Sequence, residues 1–234
     1  AIAVLAAMAL VASCGTTTAT SGDSSGSGAT ISTAVRQASI GASAADVLAA
    51  NADTSEAVAA ITDADGAGAY DASAATTITA SGGSVEVSGT STGNVTTDSA
   101  DGTTVTITGS GTYVLTGTLD DGRVVVSAED ADVRLVLAGA SITNADGPAI
   151  DVQDAGSAVM VLAEGTTNTL ADGSSYADTG EDAATAALYS SDTLAITGTG
   201  SLDVTGSYKD GISSKNGLVI VGGPTITVNA ADDG

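Results

Sequence analysis

The residues of this chain whose type and spacing best suit chemistry are acidic turns. Asp210-Gly211 and Asp233-Gly234 lie 23 residues apart, and Asp232 adjoins the second pair. If the two turns occupy equivalent points of strands stacked about 4.8 Å apart, their carboxylates repel unless a proton or a cation lies between them. Calcium takes about six to eight oxygens and suits such a ladder. The opposing reading is backbone geometry alone, because Asp-Gly is a common turn dipeptide. A second acidic group, Asp178, Glu181 and Asp182, follows Asp172 and Tyr176 on a Gly/Ser-rich stretch. It can wrap a cation or simply be solvated, and its spacing does not fit an EF-hand. For a sugar, Tyr208 is the best stacking face, set at a turn beside Lys209, with Lys215 following. The two lysines can hold an acidic sugar, and Arg123 and Arg134 can contact its carboxylate in bidentate form. Tyr113, in an alternating strand, reads as core or cap, and Tyr189, between Leu188 and two serines, reads as core.

Composition limits what these residues can do. The chain has 234 residues, a net charge of −23, five Lys and Arg, and no His. Five basic residues cannot neutralise a phosphate backbone, so nucleic acid is a poor partner. Without His there is no Ser/His/Asp chemistry. Among 28 acids some carboxylate pair always has glycosidase spacing, so that signal carries no weight. Lys209 beside Asp210 is the one couple that resembles a lyase base and its partner. The only aromatics are five Tyr, which points to a narrow core of Val, Ile, Leu and Ala.

Those acidic turns need elements to hold them in register. Leu194-Ala-Ile-Thr-Gly-Thr-Gly-Ser-Leu-Asp-Val-Thr-Gly206 is answered by Leu218-Val-Ile-Val-Gly-Gly-Pro-Thr-Ile-Thr-Val-Asn229, 24 residues later. A repeat of that length built from short β-runs implies stacked coils of strand. Upstream, Thr77–Thr79, Ser84–Val87, Thr104–Thr108 and Tyr113–Thr116 alternate polar with apolar between glycines, which predicts strands. Glu164 to Ala184 breaks the period and reads as an insertion or widened turn, the kind of segment that carries function in a solenoid. Residues 1–11 are an apolar run of signal-peptide character ending at Val11-Ala-Ser-Cys14, which looks like a lipobox with Cys14 as the lipidated residue. Residues 15–30 read as a flexible tether. Residues 31–66 are Ala-rich and weakly helical, with Val35, Val47, Leu48, Val58 and Ile61 spaced for short helices. Asp53 and Glu56 form a capping-box pattern ahead of Ala57–Ile61.

Four segments, in order, resemble a bacterial family of carbohydrate-binding β-helix domains related in fold to pectate lyases. They are Gly111-Thr-Tyr-Val-Leu-Thr-Gly-Thr-Leu119, Leu135-Val-Leu-Ala-Gly-Ala-Ser-Ile-Thr-Asn144, Leu162-Ala-Glu-Gly-Thr-Thr-Asn-Thr-Leu-Ala-Asp172 and Tyr208-Lys-Asp-Gly-Ile-Ser-Ser-Lys215. The resemblance covers about two-thirds of the chain, from Thr76 onward. Pro224 departs from the pattern, and further coils usual in the family do not follow Gly234. The resemblance implies binding of cellulose or acidic sugars such as polygalacturonate, with calcium.

The expected fold is therefore all-β, a right-handed parallel β-helix behind a disordered, partly helical N-terminal tether; the handedness follows from the rule for parallel crossovers and from the resemblance. The expected divisions are a signal peptide and lipobox over 1–14, a tether over 15–75 and a carbohydrate-binding β-helix over 76–234, cut short at its C-terminus. The expected task is non-catalytic, calcium-assisted polysaccharide binding at the outer face of a bacterial cell, with a lipid anchor on Cys14. The alternatives are a structural surface stalk or adhesin without sugar specificity, and a polysaccharide lyase.

Overall fold

The computed structural model describes residues 68–232. The lipobox at Cys14, residues 15–67 of the expected tether with the Asp53–Glu56 capping box, and Asp233 fall outside the described residues. What is described is all-β, with one short 3-10 turn at Thr92–Asn94.

Fourteen strands join in one sheet system: β1 (Thr76–Gly82), β2 (Ser84–Gly89), β3 (Val95–Asp98), β4 (Thr103–Ile107), β5 (Gly111–Leu119), β6 (Gly122–Thr143), β7 (Ile150–Leu162), β8 (Thr167–Ala171), β9 (Ala186–Ser190), β10 (Leu194–Gly198), β11 (Ser201–Gly206), β12 (Asp210–Ser214), β13 (Leu218–Ile220) and β14 (Thr225–Ala230). Most pairings are parallel and fall into three columns. In the first, Val105, Val124, Ile150, Leu188 and Ile212 stack from β4 through β6, β7 and β9 to β12. In the second, Thr76, Tyr113, Leu135, Met160, Ile196 and Ile220 stack from β1 to β13. In the third, Ile142, Leu170, Val204 and Val228 stack from β6 to β14. Leu194 pairs with Leu218, the register that the doubled phrase requires.

Alternation along each strand sends one set of side chains inward. Val105, Ile107, Leu135, Leu137, Met160, Leu162, Leu188, Ile196 and Leu202 meet in a single interior cluster. Tyr113 joins it fully buried, its hydroxyl donating to the Gly109 carbonyl at 2.7 Å. Burial raises its pKa above the usual phenol value. Narrowness explains the absence of Phe and Trp: three strand faces leave room for one layer of aliphatic side chains.

The corners are held by polar groups. Asn168 is fully buried on β8. Its Oδ1 accepts from the Gly139 and Ala140 amides at 2.8 and 2.9 Å, and its Nδ2 donates to the Ser201 carbonyl at 3.0 Å. It thereby ties three successive levels together. This position corrects the expected insertion, because Thr167–Ala171 is a strand, with Leu170 packed between Ile142 and Val204. The irregular segment is shorter, running from 172 to 185.

The two ends of the stack differ. At the first, β2 folds back antiparallel on β1 and β3 on β4, so short polar strands occupy the edge. Such hairpins blunt an edge against further pairing. At the other, β13 and β14 pair on one side only, and Leu218 and Ile220 are 41% and 50% exposed.

Candidate functional site

The irregular loop 172–185 bridges β8 and β9 and lies beside the outward side of the first column. Its course begins at Asp172-Gly173, where a Cβ on Gly173 would run into the Ala145 carbonyl. Only glycine passes this corner without displacing it. The Ala177 amide then donates to the Asp146 carbonyl at 2.8 Å. At its far end Thr185 Oγ1 donates to Asp210 at 2.9 Å, and the Asp210 amide donates to the Thr185 carbonyl at 3.1 Å.

Tyr176 anchors the loop. Its ring stacks on Tyr208 with centroids 4.3 Å apart and planes at 22°. Its hydroxyl donates to Asp172 Oδ2 at 2.7 Å, while Asp172 Oδ1 accepts from the Ser207 amide. Burial first, then the hydrogen bond to Asp172 and the charges of Asp172 and Asp151, push the Tyr176 pKa well above the phenol range. It therefore stays neutral and serves as a donor. The Lys209 ammonium lies 4.9 Å from the Tyr208 ring centroid.

Between loop and column lies a cleft of about 490 Å³. Its chemistry comes from Arg123, Asp146, Asp151, Gln153, Tyr176 and Asp178. Arg123 and Asp151 occupy outward slots of β6 and β7, each next to an inward aliphatic residue, Val124 or Ile150. The Arg123 Nε donates to Thr104 Oγ1 at 3.3 Å. Asp151 is 6% exposed and accepts from the Gln153 amide at 2.7 Å. Burial raises its pKa; the Gln153 hydrogen bond and the Arg123 charge oppose that rise, and the Asp178 charge adds to it. The strand side thus carries a guanidinium, a carboxylate and a carboxamide, and Asp146, Tyr176 and Asp178 come from the connecting segments. This set can hold sugar hydroxyls by acceptance at carboxylate and donation from Gln or Arg.

The residues singled out from the sequence scatter around this cleft. Asp178 lines it, its Oδ1 capping the Gly180 amide at 2.9 Å. Asp182 pairs with Lys215 at 3.0 Å, and that hydrogen bond, followed by the Tyr189 hydroxyl, raises the Lys215 pKa. Glu181 is exposed. Tyr208 corrects the expectation of a free stacking face, for it is half-buried and Tyr176 covers one side of its ring. Lys209 and Asp210 turn to different partners, Tyr208 and Thr185, so they form no acid–base couple. The Asp232 amide donates to the Lys209 carbonyl at 3.0 Å. Among the described residues no three acids converge on a point that can hold a metal ion. The calcium ligands expected from sequence, Asp210, Asp232, Asp178, Glu181 and Asp182, do not form a cage among themselves. The residues that sequence reasoning undervalued are Asp151 and Gln153, whose signal is polarity in the outward slots of an otherwise apolar run, Ile150–Val152.

Comparisons with known proteins agree in direction. A family described as carbohydrate-binding domain-containing protein matches residues 101–234. A protein of that description from Acetivibrio thermocellus is 36% identical over 121 residues, covering 50% of this chain and 42% of its own length. The solved structure of a polysaccharide lyase-like protein from C. thermocellum, a gadolinium derivative, superposes with a TM-score of 0.61 at 31% identity, covering 66% of this chain and 61% of that one. The chain thus spans less than two-thirds of the length of either relative.

Proposed function

The chain belongs to the family of carbohydrate-binding domain-containing proteins, and on that premise we propose that it holds a polysaccharide, without catalysis, in the cleft beside loop 172–185. The observation that carries this reading is the lining of that cleft, where Arg123, Gln153 and Tyr176 stand among Asp146, Asp151 and Asp178 around a volume that accepts a sugar unit. We read the three columns as the faces of a right-handed parallel β-helix, since parallel crossovers take that hand. Such a coil presents successive binding positions along its outer side.

Arg123 is the direct contact for a uronate carboxylate, in bidentate form. The neighbouring acids and the net charge of −23 repel the rest of an acidic chain. Calcium assistance answers that repulsion: the ion would sit between sugar and protein carboxylates rather than in a cage built by the protein alone. A neutral chain such as cellulose would use the hydroxyl contacts without the ion. Catalysis is disfavoured because Lys209 and Asp210 engage separate partners. A lipid anchor on Cys14, at the outer face of a bacterial cell, completes the proposal.

The test is retention on polygalacturonate and on cellulose, each with calcium and with chelator, for the chain and for Arg123→Gln and Gln153→Ala. Retention that both variants weaken supports the cleft. Equal retention by all three moves the site elsewhere, and no retention on either matrix favours a surface stalk.

A further inference from the structure

Strands of a single-walled coil should be apolar inside and polar outside, and the second column is not. Its inward residues Tyr113, Leu135, Met160 and Ile196 belong to the interior cluster. Its outward residues form a second apolar cluster: Val114, Val136, Val159, Val161 and Ala195, flanked by Ala75, Ala138, Ala163 and Val219. Val114, Val136, Val161 and Thr197 stack across β5, β6, β7 and β10. Val136, Val161, Ala195 and Thr197 have 0% exposure. Near-continuous apolar runs such as Ala158-Val-Met-Val-Leu162 are the mark of strands covered on both sides.

Among the described residues, Tyr70 is the one aromatic side chain packed on this cluster, and Arg134 occupies an outward slot beside Val159. The chain reaches the face at Gly68, where a Cβ would meet the Glu164 amide, the Leu162 carbonyl and the Thr199 amide. It leaves along Asp71–Ala74, which are exposed, and enters β1. A single tyrosine cannot cover a ladder that, from β1 to β10, spans about 19 Å.

We propose that residues 43–67 of this same chain lie across the outer apolar face of the second column. Two observations favour that occupant over a second copy. The segment joins the face directly at Gly68, so docking costs little loop closure. Its apolar positions, Val47, Leu48, Val58 and Ile61, recur at helical spacing, and Asp53–Gly66 wound as a helix would be roughly 21 Å long, matching the ladder. Charge agrees as well: Asp46, Asp53, Glu56, Asp63 and Asp65 face no Lys or Arg within the segment, and the charged member of the ladder is Arg134.

The test replaces Val58 and Ile61 by Asp in the full chain and follows Tm, binding of an apolar dye and sedimentation. The expected result is a Tm lower by on the order of 5–10 °C, stronger dye binding and an unchanged monomer, with Ile61→Leu keeping the parent Tm. Val58→Ala with Ile61→Ala should show a smaller fall, should the charged pair prevent folding. Val161→Ala added to the variant should give less than the sum of the two effects, since both act on one contact. An unchanged Tm overturns the proposal, and a dimer under those conditions would assign the face to a second copy. Strict additivity with Val161→Ala overturns it too, by placing the segment elsewhere.

Discussion

Asn168→Ala should be among the most damaging polar substitutions available in this chain. The side chain bonds to three levels of the stack, through the Gly139 and Ala140 amides, the Ser201 carbonyl and Thr166 Oγ1. Thr166 keeps its own bond to the Ala163 carbonyl at 2.7 Å, so it loses little. The Ala140 amide is buried, and orphaning it costs about 1–3 kcal/mol. The Gly139 amide and Ser201 carbonyl are partly reached by water, and losing their partners costs about 0.5–1.5 kcal/mol each. The sum is about 2–6 kcal/mol, which for a unit of this size lowers Tm by roughly 5–20 °C. Thermal unfolding followed by circular dichroism measures it. Asn168→Asp sharpens the test. It keeps the acceptor for two amides but turns a carboxylate toward the Ser201 carbonyl, so at neutral pH it should also destabilise. Acidification should restore a donor and close part of the gap to the parent. A Tm for Asn168→Ala within about 1 °C of the parent would refute the corner reasoning.

Asp151 supplies a pH signature. Its pKa is raised in the folded chain, so the native state binds the proton more tightly than the unfolded state, and its contribution to stability declines as pH rises above about 4. Asp151→Asn should therefore gain stability relative to the parent across that rise, read from Tm at a series of pH values; a constant difference would contradict the burial. Tyr208→Ala removes the stack on Tyr176 and should cost about 0.5–1.5 kcal/mol beyond lost area, with increased amide exchange in loop 172–185 as the readout. Tyr176→Phe should cost about 0.5–1.5 kcal/mol by removing the donor to Asp172, measured by denaturant unfolding. Lys215→Ala breaks an exposed pair with Asp182 and a contact with the Tyr189 hydroxyl, and should leave Tm within about 2 °C.

How much of this was legible depended on periodicity. Thr104–Thr108 and Tyr113–Thr116 announce strands because alternation matches a pleated surface with one buried side, and β4 and β5 occupy those positions. The doubled phrase from Leu194 set the register, because a shift of one residue would turn Leu194 and Ile196 outward. Thr167–Ala171 was hidden because Asn168 looks like a loop residue, and its role at the corner, accepting from Gly139 and donating to Ser201, depends on residues 29 and 33 positions away. The cleft was hidden for the same reason. Arg123, Asp151 and Asp178 converge only after two paired strands and a folded loop bring them together, and Asp-Gly turns distracted from a lone Asp within an apolar strand. Tyr208 read as exposed because nothing local predicts that Tyr176 lies on it.

The parallel ladders also set how the molecule responds to load. Hydrogen bonds between successive levels run along the stack, so tension applied along that axis opens them level by level rather than shearing a whole face. The antiparallel hairpins close the first end, and among the described residues β12, β13 and β14 form the level bonded on one side only. The registers that join this level to the one beneath it are offset by 24 residues. Release of this level would therefore lengthen the chain by about 80 Å, and the level beneath, which contains loop 172–185, would give a longer second step while the levels below it stay folded.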